Sequence, residues 1–169
     1  VNGSPTAIID IGAVETGFTG FFVDTTDDTV DVNPGDGVAQ DASGKTSLRA
    51  AIMEANALAG VQDIVVGPGV YLLTLSGADE NAGATGDLDV FGDVRIFGYS
   101  PYATTIDAGG IDRAFHLLGG NTTLAGLTIT GGSVASSFGG GVLNEASGNT
   151  LSNVVIRNNI SGGSGGGIA

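Results

Sequence analysis

The chain of 169 residues has room for one substantial core, and its 41% apolar content excludes a disordered segment. Its 31 glycines follow no three-residue period, which excludes collagen, and a net charge of −13 excludes nucleic acid and anionic membrane surfaces as partners. With no cysteine there is neither a disulfide framework nor a thiolate metal site, and no apolar run approaches the roughly 18 residues of a membrane helix.

Val1 opens the chain with neither an initiator Met nor a signal peptide, so the sequence is expected to be a piece of something longer. Phe21-Phe22-Val23 predicts a strand. An acidic, turn-rich loop follows from Asp24 to Asp41, containing Asp31-Val32-Asn33-Pro34-Gly35-Asp36-Gly37. Oxygen-bearing residues on a tightly curved backbone suit a hard cation, which makes Asp27, Asp31, Asn33 and Asp36 candidate calcium ligands. The spacing departs from an EF-hand, because Pro34 and Gly35 interrupt it and no Glu closes it; the alternative is a solvated turn.

One helix is predicted over 46–59. Leu48, Ala51, Ile52, Ala55 and Leu58 form an apolar stripe at helical spacing, Thr46 or Ser47 can cap its start, and Gly60 can end it. Such a helix, placed just before a stack of strands, is expected to cover the first coil and block edge pairing.

The remainder is repetitive. Thr123 to Gly132 aligns without a gap with Thr150 to Asn159, 27 residues on. Leu88, Phe115, Val142 and Ile168 follow one another at steps of 27, 27 and 26. Each period carries three short strands, near 141–144, 149–152 and 154–157 in its clearest copy, parted by Gly, Asn and Ser. Earlier copies fall at Ala114 to Leu118, Thr122 to Leu124 and Leu127 to Thr130. Before these come Asp87 to Phe91, Val94 to Phe97 and Thr105 to Asp107, and Ile64 to Val66 with Val70 to Leu75 begins the series. Three strands and three turns per repeat make one coil of a β-solenoid, which buries its inward residues against the coils on either side. The fold class is therefore all-β, with four coils visible and a fifth interrupted at Ala169, so the biological end is expected to lie further on.

Few residues offer chemistry. Asp87 and Asp89, two apart on one strand, are expected on the outward face about 7 Å from each other, a spacing within the range of an inverting glycosidase. The plainer expectation is a turn and surface pair, outward because Leu88 and Val90 point in, and no Arg or Lys from successive coils is expected beside it, as a calcium-assisted lyase would require. His116 is expected to be an exposed strand residue, and Arg113 with Asp107 and Asp112 a local salt bridge between coils, with a site for a carboxylated sugar as the alternative. Gly139-Gly140-Gly141 is followed by strand and no Lys, so it is not a phosphate loop.

Residues Phe21 to Leu75 resemble the CSLREA-type domain. The likeness is carried by Thr46-Ser47-Leu48-Arg49-Ala50-Ala51-Ile52-Met53-Glu54-Ala55-Asn56, by Asp63-Ile64-Val65-Val66 with Gly69-Val70-Tyr71, and by Thr85-Gly86-Asp87-Leu88-Asp89-Val90. Thr46 and Ala39 stand where that family often has cysteines, so the cross-link the resemblance would imply is lost. The glycine runs before Val142 and Ile168 resemble polymorphic outer-membrane-protein coils. Ala7 to Glu15 is similar to the segment that closes such modules, which implies a tandem array.

The resemblance implies a right-handed parallel β-helix, with three short strands per coil and an N-terminal amphipathic capping helix, in a secreted or cell-surface bacterial protein. Residues 1–17 would be the tail of a preceding module or a linker, 18–62 the cap region and 63–169 the coils. The function expected is a non-catalytic structural or adhesive module that packs end to end with neighbouring copies or modules into an extracellular fibre. The alternative is a polysaccharide-binding or polysaccharide-cleaving protein, with glycans as partners and Asp87 and Asp89 as its carboxylates.

Overall fold

Parallel pairing dominates the computed structural model, which describes residues 20–77 and 80–169. The segment from Ala7 to Glu15 lies outside the described residues. After β1 (Gly20–Val23) come the acidic loop and α1 (Leu48–Ala57), the single helix among the described residues. Short strands then follow one another: β2 (Gln62–Val66), β3 (Gly69–Leu72), β4 (Leu88–Val90), β5 (Val94–Gly98), β6 (Thr104–Asp107), β7 (Phe115–Leu117), β8 (Thr123–Ala125) and β9 (Thr128–Thr130). The last are β10 (Ser133–Val134), β11 (Val142–Asn144), β12 (Thr150–Ser152), β13 (Val155–Ile156) and β14 (Ile160–Ser161).

These strands form four separate parallel sheets. One has the order β1-β2-β5-β8-β12, the second β3-β6-β9-β13, the third β4-β7-β11, and a small fourth pairs β10 with β14. From β2 onward the chain visits the first three sheets in turn and comes back to each beside the strand it left there. A parallel partner cannot be reached through a tight hairpin, so the intervening strands occupy the crossover. The predicted strands all appear, within a few residues at their ends. The β10–β14 pair was not expected: two residues are too few to leave a periodic signal.

Register turns the repeat into columns of side chains. Leu88 pairs with Phe115, Phe115 with Val142, and Val142 with Ile168, as the spacing predicts. Ile64, Ile96, Leu124 and Leu151 make a second column, and Tyr71, Ile106, Ile129 and Ile156 a third. The first members of all three columns are buried in one continuous apolar core, and Leu151 and Ile156 pack partly buried against it.

The helix lies against β1, β2, β4 and β5. Ser47 caps it, its Oγ accepting from the Ala50 amide at 3.0 Å while donating to the Thr29 carbonyl at 2.6 Å. Leu48, Ala51, Ile52 and Ala55 are buried as the stripe predicts. The expectation that the helix itself blocks edge pairing needs correcting, because β1 pairs in register with the outer edge of β2.

Candidate functional site

The register that builds the core also gathers polar groups. Asp89 on β4 lies directly beside His116 on β7, and Leu143 on β11 is the next neighbour. In-register neighbours share a face of the sheet. The expected orientation away from the Leu88–Phe115 column therefore brings Asp89 and His116 together.

That face is not open to water, which corrects the expected surface pair and exposed histidine. Asp87, Asp89 and His116 retain only 3%, 0% and 7% of their exposure. The loop before β4 folds back onto Asp89, with the Gly83 amide donating to Asp89 Oδ2 at 2.9 Å. Arg49 of the helix anchors this loop through the Gly83, Gly86 and Asp87 carbonyls. Asp87, Asp89 and His116 each bring one ligand atom within 4.8 Å of the others, so the expected carboxylate spacing of about 7 Å is too long. Among the described residues, this is the one group of three or more His, Asp or Glu side chains so close together.

A basic residue from the next circuit is also present, against expectation. Arg113 Nη1 donates to Asp87 Oδ2 at 2.8 Å, and its Nη2 to Ser137 Oγ at 3.2 Å. Arg113 thus pairs with Asp87 and not, as the sequence suggested, with Asp107; the Asp112 carboxylate accepts instead from the Arg113 amide. Arg113 also lines a surface groove of about 310 Å³ with Ile111, Asp112 and residues 133–137. On the other side, His116 Nε2 lies 3.1 Å from Glu145 Oε2, whose side chain is 56% exposed.

The electrostatics follow from burial. Desolvation pushes the Asp87 carboxyl up to about 7, with Asp89 and Asp112 adding to the rise and Arg113 opposing it. The Asp89 carboxylate, and secondarily Glu145, raise the His116 imidazole above its ordinary value against the effect of burial. His116 Nδ1 is 3.4 Å from Asp89 Oδ1, longer than a good hydrogen bond, and this oxygen accepts no hydrogen bond at all. Chemically, the cluster can hold a proton or a small cation.

The acidic loop is arranged differently. Asp27 Oδ2 accepts from Thr25, Asp31 Oδ1 from the Asn33 amide, and Asp36 from the Asn33 side chain and the Val38 amide. Glu54 of the helix accepts from the Gly35 and Gly37 amides. Asp31 Oδ2 is buried without a hydrogen bond, and burial raises this carboxyl. The four candidate calcium residues therefore chiefly fasten the loop to itself, and Asp27, Asp31 and Asp36 do not form a close three-ligand group.

His116 and Arg113 were missed as partners of the acid pair, although the signal was present. Residue 116 follows 89 by the same 27 positions that separate Leu88 from Phe115. A comparison of the chain with protein-family models, curated proteins and solved structures finds no match.

Proposed function

We propose that this chain is part of a right-handed parallel β-helix that serves as a non-catalytic structural or adhesive module of a large secreted or cell-surface protein. The observation that carries this reading is the cyclic visiting of three parallel sheets, with an apolar column running through each. Such a stack is stiff because each circuit packs only on its neighbours, and it lengthens by simple addition of circuits, about 4.8 Å each. The CSLREA-like helix, seated on β1, β2, β4 and β5, supports a capping role at one end of the stack.

End-to-end packing with neighbouring copies or modules belongs to the same proposal, because a parallel register of this kind can be continued strand by strand. An apolar edge of paired strands is a template for further strands. The partner proposed is another copy or module of the same protein.

The polysaccharide-cleaving alternative is less well supported. The Asp87 and Asp89 side chains are 4% and 0% exposed, beyond the reach of a polymer in this conformation. No helix among the described residues is long and apolar enough to cross a membrane.

Sedimentation velocity across a concentration series, with electron microscopy of the most concentrated sample, tests the assembly. The chain is expected to associate into linear particles, and V155D/I160D to remain monomeric. A wild-type chain that is monomeric throughout would remove end-to-end packing from the account. Incubation with acidic and neutral glycans, with and without calcium, tests the alternative, and turnover lost in Asp87→Asn would establish it.

A further inference from the structure

We propose that Asp87, Asp89 and His116 form a binding site for one divalent cation of the zinc class. The inference shares the strand register with the architectural reading, but it rests on side chains that play no part in the apolar columns and does not need the protein to assemble.

Two observations carry it. The first is the convergence of two carboxylates and one imidazole, with a ligand atom of each inside 4.8 Å, at a place where all three residues are buried. The second is the state of Asp89 Oδ1. Its residue is fully buried, its partner oxygen takes the Gly83 amide, and Oδ1 itself accepts no hydrogen bond. An unsatisfied buried carboxylate oxygen is costly and calls for an ion or another partner.

The spacing fits a shared ion better than a direct contact. Ligands about 2.1 Å from a tetrahedral zinc ion lie about 3.4 Å from each other. His116 Nδ1 and Asp89 Oδ1 are 3.4 Å apart, too far for a good hydrogen bond. Arg113 Nη1 donates to Oδ2 of Asp87 and does not occupy its Oδ1. The other imidazole nitrogen faces Glu145 at 3.1 Å, the carboxylate–histidine arrangement that orients metal-bound imidazoles. Entry is from that side, where Glu145 is more than half exposed.

The donor set selects the class of ion. One imidazole nitrogen and two carboxylates balance a charge of +2 and suit zinc, whereas calcium wants six to eight oxygens. A three-residue set leaves a fourth position for water.

The test uses the fact that His116 is the only histidine in the chain. Its imidazole resonances are followed by NMR in chelator-stripped protein as Zn²⁺ is added, with Ca²⁺ as the comparison. A change that saturates at one equivalent of Zn²⁺ and is not produced by Ca²⁺ is expected. In calorimetry, D89N and H116Q are expected to bind Zn²⁺ at least about tenfold more weakly, and E145Q by about 10- to 100-fold. Imidazole resonances that ignore Zn²⁺ would overturn the proposal, and this result requires no variant to fold. Affinity unchanged in a folded D89N would overturn it equally, by placing the ion elsewhere on the acidic surface. A response to Ca²⁺ equal to that for Zn²⁺ would overturn the choice of ion.

Discussion

Arg49 carries its charge inside the protein because five acceptors surround it. Asp28 receives it through both oxygens, at 2.6 and 3.3 Å, and the Gly83, Asp87 and Gly86 carbonyls take the remaining donors. The two side chains are 0% and 2% exposed, and Asp28 Oδ2 also accepts the Thr74 and Leu75 amides. Removing one partner of such a pair leaves the other charge uncompensated, at a cost of about 3–5 kcal/mol. Arg49→Met is therefore expected to lower unfolding stability by that amount in urea titration, and a loss below about 1 kcal/mol would contradict the role assigned here. Asp41 gives a pH-dependent counterpart. Hydrogen bonds from the Ser43 side chain and the Lys45 amide, with Thr29 adding, hold its carboxyl well below the ordinary 3.8. A depressed folded-state value means that its contribution is present above about pH 4 and lost as pH falls below that. Thermal unfolding followed from pH 7 to pH 2 should show a shallower acid decline in Asp41→Asn than in the wild type; identical slopes would refute this. Neither residue was legible as a partner in the sequence. Asp28 lies 21 positions from Arg49, and only the folded loop shows which acid meets which base.

At the level of elements, the corners repeat as faithfully as the strands. Gly126 and Asn153, 27 residues apart, both have left-handed backbone angles, with φ of 66° and 52°. Gly131 and Asn158 repeat the pattern at 73° and 55°. Gly and Asn are the residues that enter this region most readily. A Cβ at Gly126 would also lie 2.7 Å from the Gly98 carbonyl oxygen of the preceding circuit. Gly126→Ala is thus expected to cost at least about 1–2 kcal/mol, and Asn153→Gly much less. Equal effects of the two in chemical denaturation would contradict the corner assignment. The helix was readable by its apolar stripe, yet its polar side chains do as much to place it. Asn56 accepts from the Phe91 and Gly92 amides and donates to the Asp89 carbonyl, fixing the end of the helix to β4 and the turn after it. An amphipathic pattern reports which face is buried and says nothing of such bonds, because they depend on loops whose course the periodicity does not encode.

For the whole molecule, the parallel pairing was visible in advance because its register is written into the spacing of Leu88, Phe115, Val142 and Ile168. The site was not, although the same spacing placed His116 beside Asp89. The failure lay in equating the outward face of a strand with solvent. The loop carrying Gly83 and Gly86, held by Arg49, closes that face, and a loop of Gly, Ala and Thr gives no periodic sign of where it folds. The absence of cysteine offers a clean test of the register on which both the architecture and the cation site depend. Thr123 and Thr150 are in-register neighbours on β8 and β12, while Thr123 and Ser152 are offset by two residues. Parallel neighbours about 4.8 Å apart lie within disulfide range, and the offset pair, at about 8 Å, does not. On oxidation of dilute monomer, T123C/T150C is expected to form an intramolecular cross-link and T123C/S152C is not. Cross-linking of the offset pair in place of the aligned one would contradict the parallel register.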